Sequence, residues 1–502
     1  MELGLILEMV ASGHGDRVAV AAGTDRMSYT ELQLLAGRTG GWVREGGFDA
    51  VVYLGTSHLA YPVALFGATL GGVPLVPLNY RLGPRQLEEL LGQHPNSLVV
   101  HGGPPPPGAT GSRLVERDEF LTGLRARGDA EEAMTADPDG VAVILYTSGT
   151  SAAPKAVLLR HRHLTAYLLA SVEFAGAGPD EAALVSVPPY HVAGLTNLLS
   201  NLYAGRRIVY LGRPDPAEWL RLARAERVTQ AMVVPTMLAR IVDHLAAHPE
   251  ECAPGLRTLS YGGARTPTPV IEKALRLFPD TGFVNAYGLT ETSSTIALLG
   301  PDDHRAAIGS DDEAIRARLG SAGRLLPGIE AEVRDDQGTA LPVGHVGLVF
   351  LRGEQISGEY GGGSVLDPAG WFPTRDRGRL DADGYLFVDG RADDTIIRGG
   401  ENIAPEEIED VILAHPDVSE AAVVGLPDDE WGQRLVAVVV GRADRAIDVD
   451  ALRRHCVDRL RSSKTPDVFE VWPELPRTDT GKLIRRRLVA QLQGGRARIA
   501  EP

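Results

Sequence analysis

The stretch YTSGTSAAPKAV, Tyr146 to Val157, joins two apolar segments through a loop of hydroxyl side chains. The run from Val141 to Tyr146 has the length and composition of a buried strand, and the AVLL that follows Lys155 and Ala156 also predicts a strand. Hydroxyl and backbone N–H groups can surround phosphate oxygens, and a lysine can neutralise their charge. Because the G-x-x-x-x-G-K-[ST] pattern of a Walker loop is absent, this stretch alone leaves an ordinary hairpin and a phosphate loop both open.

Apolar runs of strand length alternate with helical stretches over most of the chain. They include Ala183 to Val187, Arg207 to Leu211 and Ala231 to Val234. This alternation predicts an α/β fold with a large N-terminal body of sheets flanked by helices. The run from Tyr61 to Leu78 raises the question of a membrane span. Its prolines and glycines instead predict a buried helix, a turn and a buried strand, so we expect no membrane span.

The pattern changes after about Gly390, where a smaller unit begins. PEEIEDVILAHP, Pro405 to Pro416, has the starting proline, the acidic first turn and the apolar spacing of a helix. Two strands and a second helical stripe follow, at Val418 to Leu426, Leu435 to Gly441, and Leu452, Cys456 and Leu460. We therefore predict an N-terminal domain over 1–392 and a small α+β C-terminal domain over 393–502.

Composition limits the class of partner and the compartment. The chain has 502 residues, more than one hydrophobic core usually spans. Its net charge of -16 repels nucleic acid, so we expect no nucleic-acid partner. Two cysteines, Cys252 and Cys456, make no disulfide framework, and the start MELGLILEMV lacks the basic residues of a secretory signal. A cytoplasmic location is expected.

Further stretches rich in glycine, hydroxyl and charged residues lie along the chain. They are PPYHVAG (Pro188–Gly194), SYGGA (Ser260–Ala264), NAYGLTET (Asn285–Thr292), GWFPTRDRGRLDADGYL (Gly370–Leu386), GRADDTIIRGGENI (Gly390–Ile403) and PRTDTGK (Pro476–Lys482). With YTSGTSAAPKAV, and in this order, they resemble the motifs of the adenylate-forming superfamily, which contains acyl-CoA synthetases, stand-alone adenylation domains and luciferases. The resemblance covers nearly the whole chain.

The resemblance implies an ATP/AMP site. Tyr287 would lie against the adenine face, with Thr290 near the α-phosphate. Glu291 would be the oxygen ligand of a phosphate-bound Mg²⁺, which prefers carboxylates. Asp376 and Arg391 would bond the ribose hydroxyls. The remaining nucleotide positions implied are Thr147, Ser148, Gly149, Thr150, Ser151, Lys155, Gly263, Ala264, Asn285, Ala286 and Gly288.

The resemblance also assigns roles in catalysis and acyl transfer. Lys482 would contact the carboxylate and α-phosphate during adenylation, where a cation meets the developing negative charge. His191 would lie beside the acyl pocket, with Gly262 and Gly263 along its wall. The small domain would rotate about a hinge at Asp393 between the two half-reactions. Rotation would bring up the CoA positions Gly399, Gly400 and Trp431; Trp431 is equally compatible with a half-buried core aromatic.

These roles predict an acyl-CoA ligase of the acyl-CoA synthetase branch that uses ATP, Mg²⁺ and CoA. It would convert a carboxylic acid into an acyl-adenylate and then into acyl-CoA. The stretch Tyr190 to Gly194 carries no acid to hold a substrate amine, which favours a plain carboxylic acid. Two alternatives stay open: an enzyme that loads a carrier protein, and a nucleotide-binding pseudoenzyme. The motifs name neither the acid nor an oligomeric state.

Two alanines depart from the pattern of the family. Ala152 and Ala156 stand where its phosphate loop has glycine. Because alanine in a left-handed conformation costs roughly 1–2 kcal/mol, these residues predict a stiffened loop and weak or absent adenylation. A separate adenylating enzyme would then supply the acyl-AMP. The alternative that the loop tolerates both alanines, so that both steps proceed, stays open. The family's Thr-Gly-Asp also reads Thr374-Arg375-Asp376 here.

Overall fold

The computed structural model describes residues 1–128, 136–147, 154–212, 214–251, 253–398, 401–428, 431–442, 445–478 and 481–499. The helices of these ranges are α1 (Leu3–His14), α2 (Tyr29–Gly46), α3 (Ala60–Gly71), α4 (Pro84–Leu91), α5 (Arg117–Ala126), α6 (His161–Ser171), α7 (Val192–Tyr203), α8 (Pro216–Ala225), α9 (Pro235–Ala247), α10 (Thr268–Leu277), α11 (Pro301–Ile308), α12 (Glu313–Ala317), α13 (Pro405–Leu413), α14 (Val449–Val457) and α15 (Arg485–Ile499). Short 3₁₀ turns lie at Thr290–Thr292, Arg318–Gly320, Ala392–Asp394 and Ser462–Lys464.

The strands of the same ranges are β1 (Val18–Ala22), β2 (Asp25–Ser28), β3 (Ala50–Leu54), β4 (Leu75–Pro77), β5 (Ser97–His101), β6 (Arg113–Glu116), β7 (Val141–Thr147), β8 (Lys155–Arg160), β9 (Ala182–Val185), β10 (Arg207–Tyr210), β11 (Gln230–Val233), β12 (Thr258–Gly262), β13 (Gly282–Leu289), β14 (Ser294–Leu299), β15 (Gly323–Leu325), β16 (Glu330–Arg334), β17 (Gly347–Arg352), β18 (Glu359–Tyr360), β19 (Gly363–Ser364), β20 (Phe372–Leu380), β21 (Tyr385–Arg391), β22 (Ile396–Arg398), β23 (Glu401–Ile403), β24 (Val418–Asp428), β25 (Gly432–Gly441) and β26 (Val468–Val471).

Two large sheets form the N-terminal body, which confirms the predicted α/β class. One has the order β16-β17-β20-β21-β15-β14-β13-β12-β11-β9-β10-β1-β2, and the other the order β19-β18-β8-β7-β4-β3-β5-β6. Strands β9 to β13 pair in parallel, as do β3 to β6. Their apolar runs are buried because helices such as α3 and α7 pack on them.

The apolar run from Tyr61 to Leu78 folds as its prolines and glycines predict. Helix α3 is almost completely buried, Gly72 turns the chain in the left-handed conformation at φ +76°, and β4 follows as a buried strand. Within the described ranges, no helix has both the length and the apolarity to cross a membrane.

The C-terminal residues build a separate apolar core. The sheet β24-β25-β26 packs against α13 and α14, around Ile408, Val423, Ala437 and Leu452. The predicted second apolar stripe is on this core: Leu452 and Cys456 are buried in it and Leu460 packs against it. Helix α14 itself ends at Val457, and Leu460 N bonds to Cys456 O at 2.8 Å in the turn that follows. The exact division at residues 392 and 393 stays a prediction.

Candidate active site

The predicted phosphate loop joins β7 to β8, the antiparallel pair expected from its flanking sequence. Thr147 ends β7 and Lys155 begins β8, and the two residues pair across the ladder. The Lys155 Nζ lies 5.9 Å from the centroid of the Tyr360 ring. The predicted positions Ser148, Gly149, Thr150 and Ser151, together with Ala152, lie outside the described residues.

Strand β13 carries the adenine motif towards this loop. Asn285, Ala286, Tyr287 and Gly288 lie on β13, and Thr290 and Glu291 follow in a 3₁₀ turn. The Asn285 side chain donates to Ser321 O at 2.9 Å, and this bond connects β13 to the segment that contains Ser321.

A buried cluster places the predicted ribose residues together. Asp376 and Arg391 face each other across β20 and β21, and Arg391 Nε lies 2.9 Å from Asp376 Oδ1. The Tyr287 hydroxyl donates to Asp376 Oδ2. Burial raises the pKa of the Asp376 carboxyl, while the Arg391 charge and the Tyr287 hydrogen bond act in the opposite direction. The paired carboxylate thus has a fixed orientation in which it could accept from a sugar hydroxyl.

Glu291 is hydrogen-bonded to Tyr360, a residue that lies outside the sequence motifs. The Tyr360 hydroxyl donates to Glu291 Oε1 at 2.7 Å, and the Glu291 carbonyl accepts from Ser357 N at 2.8 Å. One oriented carboxylate suits Mg²⁺, which usually takes one or two carboxylates and fills its shell with phosphate and water. The described residues hold no cluster of three or more His, Cys, Asp or Glu that would cage a metal without the nucleotide.

Lys482 enters the same crevice from the C-terminal unit. Its turn is closed by Thr478 N bonding to Lys482 O at 2.7 Å, and by Lys482 N bonding to Thr478 Oγ1 at 3.0 Å. Gly481, at φ +79°, lies so close to Thr236 that an added Cβ would be 2.3 Å from its Oγ1. Only glycine allows this approach of the turn to the N-terminal body.

The charges that act on Lys482 include those of residues predicted to bind the nucleotide. Part of the side chain is open to water, yet the ammonium lies among many protein atoms. This crowding lowers the pKa of Lys482, and the Arg391 charge lowers it further. Asp376, Asp394 and Glu291 act in the opposite direction. The structure therefore brings Lys482, Asp376, Arg391 and Glu291 to one place, although they are far apart in sequence.

The predicted acyl-pocket residues line a different wall. His191 caps the start of α7, its N–H bonds to Pro188 O at 3.2 Å, and its ring centroid lies 4.7 Å from that of Tyr190. Gly262 ends β12 so close to β13 that a Cβ would be 2.2 Å from Ala286 O. Gly263 and Ala264 follow as exposed residues.

Of the predicted CoA residues, the structure describes Trp431, whose neighbour is Arg398. Trp431 is 47% exposed, and the Arg398 guanidinium carbon lies 5.6 Å from its ring centroid. A side chain that is 47% exposed is about half covered, so both interpretations of Trp431, a CoA contact and a half-buried aromatic, stay predictions. Gly399 and Gly400 lie outside the described residues, and Asp393 lies in the 3₁₀ turn between β21 and β22.

The prediction of backbone strain at Ala156 is wrong. Ala156 lies inside β8, opposite Tyr146, and its carbonyl accepts from Gly361 N at 3.1 Å. It is not among the residues with positive φ, because the strand begins at Lys155, before this position. The unfavourable position is Arg375 instead, at φ +62°, which costs a non-glycine residue about 1–2 kcal/mol.

Comparisons with known proteins identify the family of the chain. The family model described as AMP-binding enzyme matches residues 7–360, and that described as AMP-binding enzyme C-terminal domain matches residues 407–482. The 2-succinylbenzoate–CoA ligase of Bacillus licheniformis is 32% identical over 489 residues, which cover 94% of this chain and 96% of that protein.

Solved structures of a related synthetase are similar along almost the whole chain. The o-succinylbenzoate CoA synthetase of Bacillus subtilis, solved with its acyl-adenylate intermediate, has a TM-score of 0.83 and 27% identity, and covers 96% of this chain and 97% of its own. The same synthetase with ATP and a magnesium ion has a TM-score of 0.82 and 26% identity, covering 96% and 98%. The chain belongs to the AMP-binding enzyme family, the adenylate-forming superfamily, in its acyl-CoA synthetase branch.

Proposed function

We propose that the chain joins a carboxylic acid to CoA through an acyl-adenylate. The enzyme is an AMP-forming acid–thiol ligase that uses ATP, Mg²⁺ and CoA. The observation that carries the assignment of its site is the convergence of Lys482 with Asp376, Arg391 and Glu291. A cation beside the residues that we assign to the ribose and to Mg²⁺ suits a reaction in which negative charge develops at the α-phosphate, because the ammonium can stabilise that charge.

The first half-reaction needs charge stabilisation. An oxygen of the substrate carboxylate attacks the α-phosphorus of ATP, an O–P bond forms, the bond to the β-phosphate oxygen breaks, and pyrophosphate leaves with the electron pair. In our assignment Lys482 contacts the carboxylate and α-phosphate, while Asp376 and Arg391 position the ribose. Glu291 would hold the Mg²⁺, which neutralises phosphate charge.

The second half-reaction exchanges the acyl group onto sulfur. The CoA thiol loses its proton, its sulfur attacks the acyl carbonyl carbon, and AMP leaves as the anion. We assign His191 to the path between adenylate and thiol, and Trp431, Gly399 and Gly400 to the pantetheine arm of CoA. These positions need a rotation about Asp393, because Lys482 occupies the crevice in the present arrangement.

We propose that adenylation is the slower half-reaction, because Ala152 stands where the family's phosphate loop has glycine. Ala156 fits its strand without positive φ and no longer contributes to the expected weakness. Two assays on one preparation test this: acid, MgATP and CoA in one, synthetic acyl-AMP and CoA in the other, with a panel of acids and their adenylates. Turnover that is comparable in both assays for any acid would refute the slow adenylation.

Ala152→Gly is expected to increase pyrophosphate release several-fold, because glycine adopts left-handed backbone at no steric cost. Ala156→Gly is the matched control, since glycine inside a strand gives no gain and costs roughly 0.5–1 kcal/mol of stability. Pyrophosphate release and thermal unfolding are measured for both variants. An equal gain from both substitutions would contradict this explanation.

The same preparation separates the other two functions that the motifs leave open. Free CoA and a phosphopantetheinylated carrier protein, offered separately with acyl-AMP, identify the acceptor. A chain that binds acyl-AMP but forms no thioester with either acceptor would be a pseudoenzyme, and our proposal would be wrong.

A further inference from the structure

Arg375 is a charged residue in a backbone conformation that favours glycine. Its φ is +62°, and it lies on β20 between two buried residues, Thr374 and Asp376. Strained residues of this kind persist where the surrounding structure fixes them, and they cluster at ligand-binding sites. A ligand-binding role of the arginine side chain would explain why this position is not glycine.

Hydrogen bonds on both sides fix this backbone. Thr374 Oγ1 accepts from Asp376 N at 3.0 Å and donates to Val349 O at 2.8 Å. The Thr374 carbonyl accepts from Arg391 Nη1 at 3.0 Å. The hydrogen bonds of Thr374, Asp376 and Arg391 therefore fix the backbone here, and Arg375 is the exposed residue of this segment.

Arg375 lies within electrostatic reach of Tyr360, which bonds to the proposed Mg²⁺ ligand Glu291. Its charge acts on the Tyr360 hydroxyl, which donates to Glu291 at 2.7 Å. The Tyr360 ring is also 5.9 Å from Lys155 Nζ, the cation that follows the phosphate loop. Tyr360 thus lies beside Glu291 and near Lys155, and the Arg375 charge acts on it.

Neighbouring arginines have carboxylate partners, which Arg375 lacks among the described residues. Arg377 pairs with Asp336 at 3.3 Å, and Arg379 with Asp389 at 3.5 Å, both on the same strand. No ion pair of Arg375 with a described residue is found. An exposed guanidinium with no carboxylate partner among the described residues suits a ligand with several negative oxygens.

We infer that Arg375 binds the β- and γ-phosphates of MgATP and neutralises the pyrophosphate as it leaves. This role rests on the proposed ATP-dependent function. The guanidinium donates to two phosphate oxygens at once, which a glycine at this position cannot do. The arginine would thus partly offset the altered phosphate loop at Ala152.

Calorimetric binding of a non-hydrolysable MgATP analogue, and of AMP, tests the inference without acid or CoA. Arg375→Gly and Arg375→Asn both tolerate the left-handed backbone and remove the charge. We expect each to weaken analogue binding about tenfold or more, with AMP binding unchanged, as for a lost charge-assisted hydrogen bond. Arg375→Gly also relieves strain, so its melting temperature is expected to stay equal or rise.

Two further variants complete the test. Arg375→Lys, which keeps a positive charge, is expected to retain much of the analogue affinity. Arg352→Gln is the control, because Arg352 lies on the adjacent strand β17 and pairs with Glu330 at 2.6 Å; its affinity is expected to match that of the parent.

The inference fails if Arg375→Gly binds the analogue within twofold of the parent, or if AMP binding falls equally. It also fails if the lysine variant binds as weakly as the glycine variant. A parent chain that binds MgATP through Arg375 yet makes no acyl-CoA would instead overturn only the proposed function.

Discussion

Lys482→Ala is expected to lower adenylation by roughly 10²–10³-fold, the usual effect of removing one group that stabilises charge in a transition state. Thioester formation from supplied acyl-AMP is expected to continue. The reason is the position of Lys482 in the crevice of Asp376 and Glu291, contributed by a turn of the C-terminal unit. Pyrophosphate release and acyl-CoA formation from acyl-AMP are measured on the same preparation.

The control for this variant is Lys273→Ala. Lys273 pairs with Asp243 on the surface of the N-terminal body, at 2.7 Å, and its loss is expected to leave both half-reactions unchanged. If Lys482→Ala instead reduces both half-reactions together with the fold intact, the lysine serves both states and the role assigned to it is wrong.

Adenylation also gains a pH dependence from Lys482. Crowding and the Arg391 charge lower the pKa of its ammonium, and the charged form is the one required. Adenylation by the parent chain should therefore decline, as pH rises, at a lower pH than the ordinary pKa of lysine. Thioester formation from acyl-AMP should lack this decline, and a shared decline would contradict the assignment.

The sequence predicted the parts of the site that lie in contiguous motifs. Tyr287, Glu291, Asp376 and Arg391 could be located by residue type and order, and the structure brings them together. Tyr360 could not be found this way, because it lies outside every motif and reaches Glu291 only through the pairing of β18 with β8. Sequence gives residue types, but contacts between distant segments depend on packing.

The backbone conformation of single residues was a second feature that the sequence alone could not predict. A missing glycine suggested strain at Ala156, where the chain is an ordinary strand. Arg375 also stands where the family has glycine, and there the chain does adopt a positive φ. The φ angle of a residue depends on the hydrogen bonds of its neighbours, here Thr374 and Asp376, which one sequence does not reveal.

The largest effect on the balance between the half-reactions is expected from Asp393→Pro. Asp393 lies in the 3₁₀ turn Ala392–Asp394, which connects β21 of the N-terminal body to β22. Proline fixes φ near roughly -65° and disfavours the helical region for the residue before it, here Ala392. A chain that must rotate at this residue would be held in one orientation.

Contacts between the C-terminal unit and the N-terminal body stabilise the present orientation. In the present one, Gly481 lies against Thr236 and Arg265 pairs with Asp410, so Lys482 is kept in the crevice. A rotation that brings the proposed CoA positions to the site would break these contacts. We therefore expect Asp393→Pro to reduce one half-reaction far more than the other, whichever orientation the proline selects.

Asp393→Ala is the matched control, because it removes the same carboxylate but leaves φ free. Pyrophosphate release and thioester formation from acyl-AMP are measured for both variants, with thermal unfolding to verify the fold. Any loss in the alanine variant should be shared by both half-reactions, since only the proline blocks rotation. Equal losses in the proline variant, with its fold intact, would place the hinge at another residue, because a fixed backbone at Asp393 would then leave the exchange of Lys482 for CoA unaffected.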